Sequence, residues 1–512
     1  KALKIGYQAS KTVGYPLPQR TSDIRVGLAL VHLWLTFRGK KVQDLIQLPD
    51  IQDPELIASG HLFINTGTVV YYSNPNLFAL TIIEGNRITF EHGNWEMSDY
   101  SLTALACILG SVIGLYPLGY RLGQTALAMC DRKPGHTNRC RIHFLFAMLV
   151  LPWTRHAAES IPYFRKAYTY GIECGDRLFA SHSINLMGMY RIMLGHPVDE
   201  VLEEYTRYHD FIFSGKDPFV KSSFTENRRV LLCLKGLLPD RHGLDDTEFS
   251  EKENRVFYIE SGNELGLFYF LWNLQHIRFM FGKYEEALSI ANELKKLMKR
   301  KVALGCLHYG DILFFHSLTL AVLYPSLGLA GKIRTRASIR QNQKKMKAWA
   351  KHSPENFRHK YLLVEAEWYR ITGKHAKAAQ TYRDAIQSAN KSGYTNSEAI
   401  ANERFGHYWL SSGFRDIAGF HFTEACRCYE RYGAQGKVSQ LLETFPGLIR
   451  ATRITKDESA RNISDSLDLT TVISASQAIS GEIHLGKLLT TMLKRSMENA
   501  GAERGFMVLE NS

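Results

Sequence analysis

The segments Gly373-Lys-His-Ala-Lys-Ala-Ala-Gln-Thr-Tyr-Arg-Asp-Ala385 and Gly413-Phe-Arg-Asp-Ile-Ala-Gly-Phe-His-Phe-Thr-Glu-Ala425 share one pattern. Each opens on glycine, and a small, an aromatic and a small residue follow at +5, +9 and +12: Ala378, Tyr382 and Ala385, then Ala418, Phe422 and Ala425, 40 residues later. Gly282 opens a third copy with Ala287, Ala291 and Leu294, and Gly114 a fourth with Gly119, Gly123 and Ala126. Copies without the glycine are Ala79-Ile83-Asn86, Ser160-Phe164-Ala167 and Val201-Tyr205-Tyr208. Their first members step from 79 to 119, 160 and 201, and the gaps to 287 and 378 are each about two units. Repetition at this period signals stacked supersecondary units.

A glycine reaches a backbone conformation that other residues resist, so it marks the turn. Residues recurring every three to four positions then share one helix face. In the Gly373 unit that face is Ala378, Tyr382, Ala385 and Ala389, and the preceding helix offers Leu362, Ala366 and Tyr369. Small residues let the two axes approach, and the aromatic fills the groove between units. One hairpin cannot bury its own face, so the units must stack. The predicted fold is an all-α superhelix of helical hairpins with a period of about 40 residues over 21–449, with 1–20 as the end of an upstream domain or a first helix. β-Branched alternation bounded by hairpin turns is absent.

With 512 residues, 45% apolar and 22% charged, the chain is neither disordered nor fibrous. Eight cysteines without a C-x-x-C pair read as reduced thiols of a cytoplasmic protein. The uncharged stretches 100–120 and 312–331 have membrane-spanning length, but Gly110, Gly114 and Pro117 in one and His316, Pro325 and Gly328 in the other make each a buried helix followed by a turn. No phosphate loop is present: Ser326 to Ile333 lacks its first glycine and its hydroxyl. No H-E-x-x-H, G-x-S-x-G or kinase motif occurs either. Cys426 and Cys428 point about 200° apart on a helix, so with His421 they make a poor metal set. The pairs Glu203-Glu204, Asp245-Asp246 and Glu285-Glu286 read as solvated surface. No catalytic, cofactor or metal residue is predicted.

Residues 331–360 hold ten Lys or Arg against Glu355 alone, +9 of the chain's +13. With only Trp349 and Phe357 nearby and no DNA-reading motif, this segment predicts docking on an acidic surface rather than specific nucleic-acid binding. After Pro446-Gly447 the repeat stops, and 450–466 has a linker's composition. In 467–484, Leu469, Val472, Ile473, Ala475, Ile479 and Ile483 fit one helix face without aromatic core residues, which suits pairing with a second copy. A second helical stretch, 485–498, precedes Ala500-Gly-Ala-Glu-Arg504 and a strand-like Phe506-Met-Val-Leu509.

That closing run resembles the start of a GAF domain, with 467–484 as its signalling helix and 485–512 as its truncated N-terminal part. The glycine, alanine, aromatic and alanine offsets are similar to the tetratricopeptide pattern, at a longer period. Phrases such as Asn74-Pro-Asn-Leu77, Asp199-Glu-Val-Leu202, Ala399-Ile-Ala-Asn-Glu403 and Cys428-Tyr-Glu-Arg-Tyr-Gly-Ala434 resemble the middle region of large bacterial hybrid signalling proteins. The resemblance implies a protein-kinase-like domain and an ATPase upstream, and a GAF domain with a sensor histidine kinase downstream. Some members end in a cyclase or phosphatase instead.

On this reading both ends of the chain are cut within a larger protein. The chain is a regulatory and protein-interaction region. Its partners are domains of the same parent and a second copy held through 467–484, with a protein or small molecule as signal and no membrane. ATP and Mg belong to the flanking domains. The alternatives are an ATPase-plus-repeat transcriptional regulator and a free-standing scaffold.

Overall fold

The computed structural model describes residues 7–8, 10–11, 17–18 and 21–449, the last without 40, 71–73 and 133–136. The linker 450–466, the helix expected at 467–484 with Leu469, Val472, Ile473, Ile479 and Ile483, and the GAF-like 485–512 lie outside the described residues. Among the described residues the protein is all helix. No strand forms, and one isolated bridge joins Asp50 to Asn94.

The chain opens with α1 (Asp23–Phe37), α2 (Pro54–Val70), α3 (Pro75–His92), α4 (Ser98–Cys107), α5 (Tyr116–Asp131) and α6 (Arg139–Leu145). Next come α7 (Ser160–Cys174), α8 (Arg177–Leu194), α9 (Val198–Phe213), α10 (Pro218–Lys235), α11 (Glu251–Glu260), α12 (Glu264–Met280) and α13 (Tyr284–Lys299). The last are α14 (His308–Leu323), α15 (Leu329–His352), α16 (Pro354–Ile371), α17 (His375–Lys391), α18 (Thr395–Ser411), α19 (Arg415–Tyr432) and α20 (Gln435–Thr444). Neighbours in sequence pack as neighbours in space, most extensively α16 on α17 and α18 on α19.

Local chemistry sets the boundaries. Asn74, Asp176, Asp217 and Asn263 accept hydrogen bonds from the first turns of α3, α8, α10 and α12, satisfying amides that have no helical partner. Gly175, Gly195, Gly236 and Gly433 end α7, α8, α10 and α19 in the left-handed conformation. At the turns of the three best sequence copies, Gly282, Gly373 and Gly413 have φ of 79°, 73° and 87°. Ala287, Ala291, Ala378, Tyr382, Ala385, Ala418, Phe422 and Ala425 are all fully buried.

The gaps in the pattern are filled by helices of another kind. The short α11 carries no small-residue face and is tied to α10 through polar bonds: Tyr258 Oη and Asn254 Nδ2 both donate to Glu226 Oε1, each at 2.6 Å. The 24-residue basic α15 follows a 3-10 turn at Tyr324–Ser326 instead of a left-handed glycine. Two π-helical turns, Ile108–Val112 and Phe146–Val150, interrupt the early hairpins. The uncharged stretch 100–120 is α4, the first π turn and α5, while 312–331 begins as the buried core of α14. No described helix is long and apolar enough to cross a membrane.

Contacts also recur about 200 residues apart, where one turn of the coil meets the next. Asn356 Nδ2 donates to Pro152 O (2.7 Å) and Arg155 O (2.8 Å). Asn396 Nδ2 donates to Ile192 O and Met193 O, each at 3.2 Å. A Cβ placed on Gly436 would lie 2.7 Å from the Gly236 nitrogen. An open solenoid leaves a long concave surface; here that surface is consumed by turn-to-turn packing. Trp349 and Phe357, which stand alone in the sequence, belong to this seam: Phe357 stacks on Trp153, and Trp349 meets the same indole edge-on.

The Gly436→Ala variant should therefore lose about 1–3 kcal/mol, because its methyl meets backbone that cannot move aside. Gly282→Ala meets nothing nearer than 4.0 Å and should lose only the conformational cost of about 1 kcal/mol. Urea unfolding of both variants ranks them.

Candidate functional site

The interfaces between successive hairpins collect many polar groups of the core. The middle of successive first helices carries an asparagine ladder. Asn185 Nδ2 donates to Ser223 Oγ at 3.0 Å, Asn227 Nδ2 to Asn185 Oδ1 at 3.0 Å, and Asn273 Nδ2 to Asn227 Oδ1 at 2.9 Å. All four residues are buried on α8, α10 and α12. Their spacings of 42 and 46 were readable as a polar repeat within apolar helices, a signal the small-residue search passed over.

Beyond the ladder lie ion pairs. Lys360 of α16 pairs with Asp311 of α14, both buried. Thus one cation of the basic segment 331–360 belongs to the interior rather than to a docking face. Arg340, Lys332 and Arg336 lie over the rings of Trp368 and Tyr324. Glu367 accepts from Arg404 Nε (2.8 Å) and Arg370 Nε (2.6 Å). Burial pushes its carboxyl up, but the two guanidinium groups outweigh it and hold the pKa at about 2. Glu403 accepts from Lys437 Nζ at 2.8 Å and from Tyr429 Oη at 2.7 Å. Of the acidic doublets, Glu203, Asp245, Glu285 and Glu286 are exposed as expected, whereas Glu204 is buried against Arg191 at 2.9 Å and Asp246 pairs with Arg229; exposed Glu286 also meets Arg278 at 2.8 Å. Each partner comes from outside the doublet, on neighbouring helices or turns, and is invisible in local composition.

Between α12, α14, α16 and α18 a cavity of about 10 Å³ is lined by Trp272, His276, Asp311, Lys360, Asn396 and Ser397. That volume is about one water molecule. Among the described residues, Trp272 Nε1, His276 Nε2 and both ring nitrogens of His308 have no hydrogen-bond partner. Burial holds His276 and His308 down at about 4, with Asp311 opposing and Lys360 assisting. Burial also pushes the thiols of Cys306, Cys426 and Cys428 up to about 12. At neutral pH these imidazoles are therefore neutral and these thiols protonated. Among the described residues no group of three or more His, Cys, Asp or Glu side chains converges to hold a metal. His421 instead bonds Asn402 Oδ1 at 3.1 Å.

A second, open groove lies beside α1. An apolar groove of about 270 Å³ runs between α1 and the α4–α5 hairpin, with Leu30, Trp34 and Phe37 on one wall and Leu109, Ile113 and Leu118 on the other. Val31 and Trp34, both lining it, are 56% and 58% exposed. Exposed apolar area of this kind marks an interaction surface. The groove geometry offers an apolar surface for binding.

The buried imidazoles make stability pH-dependent. The unfolded chain takes up protons near the ordinary pKa of 6.5, whereas folded His276 and His308 resist until about 4. Stability is thus fully present above 6.5 and lost as pH falls toward 4, by on the order of 2–3 kcal/mol per histidine. Urea midpoints at pH 7.5 and pH 5 should differ less for His308→Phe than for the natural chain.

No family model matches the chain. A stretch of 152 residues is 30% identical to the hybrid signal transduction histidine kinase G of Dictyostelium discoideum. The match takes in 28% of this chain and 4% of that protein, so the chain spans a small part of the relative's length. The similarity links the chain to signal-transduction kinases.

Proposed function

We propose that the chain is the regulatory and protein-interaction region of a multidomain signal-transduction protein. In this reading 21–449 forms a tetratricopeptide-like coil, 450–466 a linker, 467–484 a signalling helix and 485–512 the first part of a GAF domain. An ATPase or kinase-like module, holding ATP and Mg, precedes it, and a histidine kinase output follows in the cytoplasm. The observation that carries the reading is the similarity to part of a hybrid histidine kinase. The fold supports it: closed helical packing, inert buried thiols and imidazoles, and an exposed apolar groove suit transmission and docking.

Stacked repeats respond to a partner by small rotations per unit. A partner favouring one arrangement shifts its population. The 467–484 helix, paired with its copy through Leu469, Val472, Ile473, Ile479 and Ile483, would carry that shift to the output. Replacing Ile473 and Ile479 together by Ser in the parent protein should abolish dimerisation by sedimentation and lower autophosphorylation at least tenfold. Unchanged dimerisation and phosphorylation would refute the reading.

A further inference from the structure

The groove beside α1 is apolar, open and rimmed by positive charge. Arg38 caps α1 with its guanidinium over the Trp34 ring, 5.7 Å from the centroid. Arg121 is exposed on α5, one residue from the lining Leu122 and three from Leu118. The one carboxylate of α1, Asp23, is bound by Lys301 Nζ at 2.9 Å. An occupant must bring an apolar stripe with acidic flanks.

We infer that the groove between α1 and the α4–α5 hairpin is the resting dock of the same chain's 467–483 segment. Residues 1–20, of which 7–8, 10–11 and 17–18 are described, and the stretches 465–483 and 485–498, which lie outside the described residues, are long enough to compete, and charge separates them. Residues 1–20 contain Lys1, Lys4, Lys11 and Arg20 and no acid. Residues 485–498 contain Lys487, Lys494 and Arg495 against Glu498. Residues 465–483 contain Asp465, Asp468 and Glu482, no Lys or Arg, and the stripe Leu469, Val472, Ile473, Ile479 and Ile483. Two grooves of two copies, each with a basic rim, would repel. Laying an apolar helix face into such a groove uses anchors at i, i+3 and i+4, the spacing of Leu469, Val472 and Ile473.

The reach is sufficient. Gln440 of α20 touches Phe281 O at 3.0 Å, and Lys301 touches Asp23 at the start of α1. Between those two contacts lies α13, whose 16 residues span about 24 Å. Residues 450–466 extend to at most about 60 Å, enough to return from α20 to α1 along this path. Docking in this way hides the stripe that would otherwise pair with a second copy. The inference goes beyond the signalling role proposed above and concerns the placement of the segment, not the output it controls.

The test is photo-crosslinking of the full chain carrying Val31→p-benzoylphenylalanine, read by mass spectrometry at low micromolar concentration. The expected product is an intramolecular adduct on residues 465–483. Reversing the rim with Arg38→Glu and Arg121→Glu should lower that adduct at least fivefold. Adding Asp468→Lys and Glu482→Lys should restore it, which separates lost docking from lost folding. An adduct joining two chains, an adduct on residues 1–20, no adduct, or insensitivity to the charge reversal would each overturn the inference. The signalling role would survive any of them, since it is judged on the parent's phosphorylation.

Discussion

A helix leaves its last carbonyl groups without partners, and in a coil of hairpins many of those ends face the axis, away from water. Here they are satisfied from the neighbouring turn. Asn396 reaches the carbonyls that end α8, and Lys437 and Gln440 reach Met280 O and Phe281 O at the end of α12. Arg370 reaches Ala321 O near the end of α14, and Asn356 the carbonyls of Pro152 and Arg155. The Arg370 bond spans 49 residues between neighbouring hairpins, and the others join elements 157 to 204 residues apart across the seam. The closed seam, the buried ion pairs and the glycine contacts depend on this exchange.

That constraint explains why the interior is polar yet chemically quiet. Buried polar groups cost free energy unless paired. The asparagine ladder and the ion pairs at Lys360, Glu367 and Glu403 meet this need by binding one another. Groups so engaged are withdrawn from chemistry. Exposed apolar side chains gather instead in the N-terminal groove, where Val31 and Trp34 stay open among the described residues.

Chain similarity and structure bear on different levels. The stretch shared with a hybrid histidine kinase speaks to the kind of protein in which such a coil is used. The geometry speaks to how the coil is held together: closed packing, paired polar groups and an exposed apolar groove. Glu226 illustrates the distinction. Burial pushes its carboxyl up to about 7, a value that would suit a general acid, but Asn254 and Tyr258 use it to tie α11 to α10, and Ser222 of α10 itself also donates to it.

Glycine turns and the small, aromatic, small rhythm of Gly373 to Ala385 and Gly413 to Ala425 were legible because they arise within one hairpin, where neighbours in sequence are neighbours in space. The all-helical class followed from them, while the helix-then-turn reading of 100–120 and 312–331 rested on their own glycines, prolines and His316. The helices α11 and α15 were hidden because their packing uses polar bonds or a proline turn in place of that rhythm. The partners of Glu204, Glu286 and Lys360, the seam around Trp153 and the groove beside α1 were decided only by tertiary structure. Each brings together side chains from different helices or turns, some some 200 residues apart, and no local pattern encodes which carbonyl or carboxylate the coil will set opposite them.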